Sequence, residues 1–488
     1  ILSGNIIWTR SNGSSDPNTP HTQALSGDEL NAGVHSDITL TNSPTLVEGC
    51  IYKVTFDAID LAGNNATPIS STNIMYSPTT PSATPFFEYA TSGSIEGGIT
   101  KLDSLSIYVT ASGDGIYRFD EDGNKLYKLG VAGKVKSVTT ITPAHNVYIG
   151  STDNNLYSFN AAGVSNPSWP LALGSEANAS VAVDRNENVY IGTHNGIFQA
   201  VSPENQIIWS FNAGASVYCS AAINSDAKLF FANEEGMLFC FDLNSIDSAT
   251  PSALWYYPIG DSVKSSVALD STYLYVTTTA GKLIKLQYLA GETGPTKIWE
   301  FAADTIITSS PIIGSNHEIY FGTHSGMIYS VNADGSQKWT YKSYAPIVST
   351  GALAEYGASM DRLFIGDSSG YAFALSLSDG TVKWIHSTGS SIISAFLYDE
   401  GVVHFGTTDG KVLKIQDTEP MNAALARGQV ETTSIWGTFQ GNNYRTGNLS
   451  IDECASNNGG CGDATYYTCT NNVGAAASCS DIDECASN

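Results

Sequence analysis

Hydrophobic and polar positions along this chain repeat with a period near 42 residues. Trp recurs with gaps of 40 to 46 residues, and Tyr and Phe extend the series toward the N-terminus: Phe87, Tyr127, Trp169, Trp209, Trp255, Trp299, Trp339 and Trp384. Eight residues after each aromatic position stands an apolar or small residue: Ile95, Val135, Ala177, Val217, Val263, Ile307, Ile347 or Ile392. A connection of fixed length between two strands accounts for this spacing.

A second regular pattern lies between these markers. Strands of β-branched and aromatic residues start at Ile107, Val147, Val189, Leu229, Leu274, Ile319, Leu363 and Val403. A polar turn follows each one and ends on a residue that tolerates positive φ, as a tight hairpin requires: Gly115, Asn155, Gly196, Gly236, Gly281, Gly326, Gly370 or Gly410. A third apolar strand comes next, for example Met327–Val331, so each repeat predicts four short strands.

Four-stranded units of this length, repeated in series, predict the blades of a β-propeller, and the sequence contains eight of them. The last copy has three strands at 391–417 but no Trp at the expected offset, whereas the segment around Phe87 has a fourth-strand pattern without a blade of its own. We therefore expect this N-terminal strand to complete the last blade and close the ring. The first strands carry small residues, as a crowded centre demands.

These repeats resemble the pyrroloquinoline-quinone (PQQ) type of propeller repeat, a fold shared by quinoprotein dehydrogenases and by non-enzymatic propellers of bacterial envelopes. The resemblance is carried by NVYIGSTDNNLYSFNAAG, EIYFGTHSGMIYSVNADGSQKW and RLFIGDSSGYAFALSLSDGTVKW. WGTFQGNNYRTGN (436–448) also resembles a segment that often borders such propellers. The predicted propeller domain spans residues 84–448.

The N-terminal flank, residues 1–80, predicts short strands with polar turns. IYKVTFDAIDLAGNNA (51–66) resembles the final strands of bacterial immunoglobulin-like domains, which carry a similar D-x-AGN signature. Only five strands fit before the propeller, against about seven in a full sandwich. We therefore expect a partial Ig-like β-sandwich domain that is truncated at Ile1.

The C-terminal flank is rich in cysteine, with five of the eight cysteines at Cys454, Cys461, Cys469, Cys479 and Cys485. SIDECASN (450–457) recurs as DIDECASN (481–488). The pattern resembles calcium-binding epidermal-growth-factor (EGF)-like modules, which implies one shortened repeat at 449–480 and the start of a second at 481–488. Small cysteine-dense modules belong to oxidising compartments, so we expect a secreted or cell-surface bacterial protein.

This resemblance also implies a site and a disulfide pattern for the tail. Carboxylate and amide oxygens suit Ca²⁺, and the matching positions are Asp452, Glu453, Asn471, Asp481, Asp483 and Glu484. Four cysteines allow three connectivities, of which the family pattern implies Cys454–Cys469 and Cys461–Cys479. Cys485 opens another copy, so we expect the chain to continue beyond Asn488.

Charge and hydropathy narrow the classes of partner. The net charge of −25 repels phosphate backbones, which argues against nucleic acid. It is compatible with divalent cations or with simple solubility. The sequence contains no apolar run long enough for a transmembrane helix.

The chemistry of a quinone-dependent dehydrogenase is not evident in the sequence. Such enzymes stack the cofactor between a Trp and a ring formed by two adjacent cysteines, and no adjacent cysteines occur here. The Trp residues occupy a repeated position, which favours core packing. We therefore expect neither enzymatic activity nor bound PQQ.

Three other groups of residues have both a functional and a structural interpretation. His194 and His324, in GTHNG and GTHSG, could bind metal, but they lie three blades apart, which favours a turn role. Asp120, Asp122 and Asn124 in FDEDGN resemble a cation loop, whereas the related turns NADGS and LSDGT favour hairpin chemistry. Cys219 and Cys240 lie on the first and third strands of one blade, where two buried thiols are favoured over a disulfide, and Cys50 has no evident partner.

Together these features favour a non-enzymatic modular protein that acts in adhesion or as a subunit of an extracellular fibre. Its expected partners are other copies of itself, in an oligomer or filament, or other surface proteins and glycans. An envelope scaffold propeller that binds other proteins is the first alternative. A PQQ-dependent dehydrogenase is the second.

Overall fold

The structure is a computed structural model, and it describes residues 3–13, 16–25, 46, 50–59, 65, 68–75 and 85–417, except 104, 105, 121, 143, 271, 290, 344, 356–360 and 400. Every regular element in these residues is a β-strand. The described part contains no helix long and apolar enough to cross a membrane. The chain divides into two compact units, Ile1–Pro81 and Ser82–Asn488.

The first unit contains one antiparallel sheet with the strand order β2-β1-β3-β4. Its strands are β1 (Ser3–Gly13), β2 (His21–Ala24), β3 (Cys50–Ile59) and β4 (Ile69–Met75). Ile6 on β1 and Val54 on β3 are buried. The predicted Ig-like domain is therefore represented by one sheet in the described residues, and its assignment as a sandwich stays a prediction.

Within residues 85–417 the second unit contains eight four-stranded antiparallel sheets, numbered here along the chain. Sheet 1 has β6 (Ile99–Asp103), β7 (Ser106–Ala111), β8 (Gly115–Asp120) and β9 (Lys125–Leu129). Sheet 2 has β10 (Thr140–Ile141), β11 (Val147–Gly150), β12 (Asn155–Phe159) and β13 (Leu171–Ala172). Sheet 3 has β14 (Ala182–Val183), β15 (Val189–Gly192), β16 (Ile197–Val201) and β17 (Ile207–Asn212). Sheet 4 has β18 (Ala222–Ile223), β19 (Lys228–Ala232), β20 (Met237–Asp242) and β21 (Trp255–Pro258).

The remaining four sheets repeat this plan. Sheet 5 has β22 (Ala268–Asp270), β23 (Tyr273–Thr277), β24 (Lys282–Gln287) and β25 (Thr296–Ala302). Sheet 6 has β26 (Ile312–Ile313), β27 (Ile319–Gly322), β28 (Met327–Val331) and β29 (Gln337–Lys342). Sheet 7 has β30 (Ala352–Ala354), β31 (Arg362–Gly366), β32 (Tyr371–Ser376) and β33 (Val382–Ser387). Sheet 8 joins β34 (Leu397–Asp399), β35 (Val402–Gly406) and β36 (Lys411–Gln416) to β5 (Pro85–Ala90).

The repeat pattern predicted these sheets because each second strand is buried on both faces and reads as a continuous apolar run. The apolar markers that follow the aromatic positions are almost completely buried in all eight sheets. Gly196 and Gly326 have φ of +81° and +92° in their hairpins, as predicted. In sheet 2 the prediction was one residue off, because φ is +71° at Asn154 instead of Asn155, which begins β12.

The strand before the repeats completes the last sheet, as predicted. β5 pairs antiparallel with β36, from Ala90 opposite Lys411 to Pro85 opposite Ile415. The ring of Phe87 on β5 lies against Gly123 of sheet 1, where an added methyl group would come within 2.0 Å of it. Sheet 8 is therefore continuous with the N-terminal strand and contacts sheet 1.

The regular spacing of the Trp series reflects contacts both within and between sheets. Within sheet 6, the rings of Tyr320 and Trp339 have centroids 5.9 Å apart. Trp339 also packs on Gly380 in the turn of sheet 7, and its Nε1 donates a hydrogen bond of 2.9 Å to the Leu377 carbonyl. Trp299 makes the equivalent bond, 3.0 Å long, to the Ala333 carbonyl of sheet 6. Core packing of these Trp residues is confirmed.

Two glycines of sheet 7 and its following loop test this contact between sheets. Gly380 and Gly389 both have φ of +74°, but only at Gly380 would a methyl group meet the Trp339 ring, at 2.7 Å. Gly389→Ala should lower the free energy of unfolding by about 1–2 kcal/mol through the left-handed backbone alone. Gly380→Ala should cost about 1–3 kcal/mol more because the ring must move. Urea denaturation measures both, and equal losses would contradict the role of Trp339.

Candidate functional site

All eight sheets contribute to one cavity of about 160 Å³. Its opening is lined by the residue that follows each buried marker, and we call this set the mouth ring: Glu96, Lys136, Asn178, Tyr218, Lys264, Thr308, Val348 and Ile393. Two positions further along, a buried set lines the interior in sheets 2 to 8, and we call it the neck ring: Val138, Ser180, Ser220, Ser266, Ser310, Thr350 and Ala395. In an extended chain alternate residues share a face, so both rings point to the cavity while most residues between them face the sheets. Gly97 and Ser137 also line the cavity.

Hydroxyl groups of the neck ring join successive sheets. The backbone N–H of Val138 donates to Ser180 Oγ at 3.0 Å, and that of Ser180 donates to Ser220 Oγ at 2.9 Å. The series continues from Ser220 N–H to Ser266 Oγ, and then along the ring to Ser310 and Thr350, at 3.0–3.2 Å. Each bond satisfies a buried donor that would be costly to leave unpaired.

Sheet 8 has Ala395 at this position, and backbone groups take over there. The N–H of Phe396 donates to the Thr350 carbonyl at 2.9 Å, and the N–H of Ala395 donates to the Gly97 carbonyl at 3.0 Å. Between sheets 1 and 2, Thr100 Oγ1 donates to the Thr139 carbonyl at 2.8 Å. Hydrogen bonds therefore run from sheet to sheet around the cavity.

Cys219 occupies a place that serine holds in other sheets. Ser309 in sheet 6 bonds both the N–H and the carbonyl of Gly322, each at 2.9 Å. In sheet 4 the Cys219 thiol bonds the N–H and the carbonyl of Ala232 in the same manner, each at 3.0 Å. Burial raises the pKa of Cys219 to about 12 and also raises the pKa of Cys240. Both are buried free thiols, as the sequence favoured.

The mouth ring differs in chemistry around its circumference. Lys264 Nζ lies 3.1 Å from a Glu234 carboxylate oxygen and 5.3 Å from the centre of the Tyr218 ring. Lys136, in sheet 2, is exposed. In sheets 7 and 8 the corresponding residues, Val348 and Ile393, are half-buried and apolar. The basic and aromatic side chains of the mouth therefore lie in sheets 2 to 5, and its aliphatic side chains lie in sheets 7 and 8.

The two histidines predicted as turn residues lie in turns, and each contacts the mouth ring. His194 Nε2 is 2.7 Å from Asn178 Nδ2, and the His194 ring lies 4.7 Å from the Tyr218 ring. His324 Nε2 is 2.8 Å from Thr308 Oγ1. They belong to sheets 3 and 6 and make separate contacts. Sequence reasoning missed that they orient mouth-ring side chains, although their shared place before the hairpin glycine was the available signal.

The other predicted sites have different outcomes. In FDEDGN, the Asn124 N–H donates to Asp120 Oδ1 at 2.7 Å, so hairpin chemistry is confirmed. The described residues contain no group of three or more His, Cys, Asp or Glu able to hold a metal ion. The predicted calcium ligands and disulfides of the EGF-like tail lie outside the described residues: Asp452, Glu453, Asn471, Asp481, Asp483, Glu484, Cys454–Cys469 and Cys461–Cys479. Those assignments stay predictions.

The residues around the cavity do not fit a stacked quinone. Its lining includes Tyr218 but neither Trp nor Cys. The Trp series lies on or beside the outermost strands, packed against neighbouring sheets. Cys219 precedes β18 and Cys240 lies on β20, and both side chains are buried in the interior of sheet 4. The side chains that would sandwich such a ring are therefore placed elsewhere.

The buried thiols give a direct test of this arrangement. A pKa raised to about 12 leaves Cys219 protonated at neutral pH, and a thiol reacts as its thiolate. Cys219 and Cys240 should therefore resist iodoacetamide at about pH 8 in the folded chain and react after denaturation. Peptide mass mapping separates them from the other cysteines. Labelling of either at the rate of a free thiol would contradict this placement, whereas Cys219→Ser should fold normally.

Comparison with known proteins agrees with this architecture. Residues 242–437 match the family model described as outer membrane protein assembly factor BamB. BamB from Moraxella catarrhalis is 14% identical with a TM-score of 0.55, and the match covers 68% of this chain and 99% of that one. Sqt1 from Saccharomyces cerevisiae is 10% identical with a TM-score of 0.58, covering 69% and 99%. Chaetomium thermophilum Sqt1 bound to the N-terminus of the ribosomal protein L10 is 13% identical with a TM-score of 0.55, covering 67% and 98%.

A search among curated proteins found no sequence match to the chain. At these identities the similar structures show the fold alone. The second unit is therefore a β-propeller built from PQQ-like repeats, part of which matches the BamB family.

Proposed function

We propose that this chain is a non-enzymatic scaffold whose eight sheets are the blades of one closed propeller, and that the mouth ring binds a segment of another protein. The observation that carries the proposal is the contrast between the two rings. The neck ring has a small hydroxyl residue, Ser or Thr, at five of its seven positions, whereas the mouth ring has a different kind of side chain in almost every sheet. A neck ring that is similar between sheets, together with a mouth ring that varies, suits recognition of a partner whose own surface does not repeat.

Closure of the ring is supported by contacts at its seam. β5 completes sheet 8, and the Ala395 N–H of that sheet bonds the Gly97 carbonyl of sheet 1. The cavity has lining residues from every one of the eight sheets. A closed ring also protects the strand edges at the seam from pairing with other chains.

The histidines of the mouth favour binding over catalysis. Thr308 and His324 form a hydroxyl–imidazole pair of the kind that can activate a nucleophile. In sheet 3, however, His194 makes the same contact with Asn178, which has no nucleophilic oxygen to activate. The shared geometry is therefore better explained by positioning of the mouth ring.

The similar proteins support a role in protein binding. The matching family is described as an assembly factor of the outer membrane, and one similar propeller is bound to the N-terminus of a ribosomal protein. We extend protein binding to this chain as part of the proposal. We also propose a secreted or cell-surface location and a role in adhesion or fibre assembly, with copies of the chain, surface proteins or glycans as partners. This more specific part of the proposal rests on the flanks at 1–80 and 449–488.

Site-directed photocrosslinking in the native cells tests the proposal. A benzophenone amino acid replacing Tyr218 in the mouth ring should give a discrete adduct with another protein. The matched control replaces Tyr256, which is 68% exposed on β21, and should give none. Equal adducts at the two positions, or no adduct at Tyr218, would contradict binding at the mouth.

A second assay addresses the enzymatic alternative. The purified chain is given the quinone cofactor, Ca²⁺, an alcohol and a redox dye, and we expect no dye reduction because the cavity lining does not fit the cofactor. Dye reduction that depends on both the cofactor and the alcohol would overturn the non-enzymatic assignment.

A further inference from the structure

We propose that the cavity binds a carboxylate carried by an extended peptide segment, with neck-ring hydroxyl groups donating to it and mouth-ring lysines drawing it in. This inference rests on the proposed function, because it names the chemistry by which the mouth would recognise a protein partner. It concerns the interior of the cavity, where hydroxyl groups converge from several sheets.

The hydrogen-bonding state of the neck ring makes it a set of donors. Each neck hydroxyl accepts a backbone N–H from the preceding sheet, at Ser180, Ser220, Ser266, Ser310 and Thr350. A hydroxyl also carries one proton of its own to donate. Among the described residues none of these five protons has an acceptor, and their oxygens border the cavity. A ligand with acceptor oxygens would satisfy them.

A carboxylate matches this donor set better than a neutral group does. Its two oxygens offer about four lone-pair sites and no donor. Hydrogen bonds to an ionised acceptor are roughly twice as strong as neutral ones. The buried position of the hydroxyl groups strengthens the bonds further, because the local dielectric constant is low.

Two lysines of the mouth ring place positive charges where the ligand enters. Lys136 is exposed, and no ion pair involves it in the described part of the chain. Lys264 shares its charge with Glu234, and Glu96 and Glu176 also lie at or beside the mouth. The net charge of −25 repels a polyanion more strongly than a single carboxylate, which favours a ligand with one carboxylate at the lysines.

The aliphatic side chains of the mouth indicate what should accompany the carboxylate. Val348 and Ile393 are half-buried and line the mouth in sheets 7 and 8, whereas the lysines belong to sheets 2 and 5. An aliphatic side chain next to the carboxylate would bury apolar area there. A segment that ends in an aliphatic residue with a free C-terminal carboxylate fits both the lysines and the aliphatic side chains of the mouth.

Three N-acetylated pentapeptides distinguish the possible sources of the carboxylate. The first ends in valine with a free carboxylate, the second is its C-terminal amide, and the third is that amide with a central aspartate. Calorimetric titration of the full chain should detect the first at or below about 1 mM, and amidation should weaken binding more than about tenfold. Binding of the third as tightly as the first would assign the site to side-chain carboxylates.

Variants test which residues hold the ligand. The double variant Lys136→Gln, Lys264→Gln should lose more than about tenfold in affinity, because it removes the attracting charge. The control Lys297→Gln removes an exposed lysine of β25 and should bind normally. Ser266→Ala should also weaken binding, whereas Ser266→Thr keeps the hydroxyl that Thr350 supplies at the same position of sheet 7. Melting curves for each variant separate lost binding from lost folding.

The outcomes separate this inference from the proposed function. Equal binding of the free acid and the amide, no binding of any peptide, or normal binding by the lysine variant would overturn the carboxylate site. A protein adduct at Tyr218 together with any of these results would leave the scaffold proposal standing and remove only the carboxylate. If Tyr218 gave no adduct but the chain bound the free carboxylate, the carboxylate site would stand and the scaffold proposal would be overturned.

Discussion

The structure of the second unit depends on one repeated interaction, a backbone N–H of one sheet donating to a hydroxyl at the start of the next. It connects sheets 2 to 7 through Ser180, Ser220, Ser266, Ser310 and Thr350. Only a small side chain can take this place, because residues from all eight sheets converge on the same cavity. At the seam, where Ala395 has no hydroxyl, backbone carbonyls accept instead. The neck ring is therefore both a structural joint and the lining of a cavity.

This double role separates the frame from the functional surface. The neck residues hold neighbouring sheets and leave little freedom for change, whereas the mouth residues extend beyond them and differ from sheet to sheet. Outer contacts add a second joint, since Trp299 and Trp339 each pack on the turn of the next sheet. Because the neck-ring hydrogen bonds and the outer Trp contacts both hold the sheets together, the residues of the mouth ring can vary without loss of the fold. Variation of this kind suits a surface that binds one particular partner.

The sequence predicted the repeating part of this structure and missed the contacts between repeats. Spacing of aromatic residues and hairpin glycines predicted the four strands of each repeat, and the unpaired pattern around Phe87 predicted the strand that completes sheet 8. Those features are local and recur at a fixed period. The bond from Val138 to Ser180, or from His194 to Asn178, joins residues that a single strand's pattern cannot relate. Likewise, Cys219 looked like a possible disulfide partner until Ser309 showed that its position belongs to a hydroxyl-like group.

Amide hydrogen exchange resolved to single residues tests the central claim about the neck ring most directly. The amides of Val138, Ser180, Ser220, Ser266 and Ser310 lie outside the strand ladders, yet each donates to a hydroxyl of the next sheet. If these bonds hold the sheets together, the five amides should exchange as slowly as those of the buried second strands, through global unfolding. Exchange as fast as that of exposed turn amides would show that the inner joint opens locally, and would contradict the account.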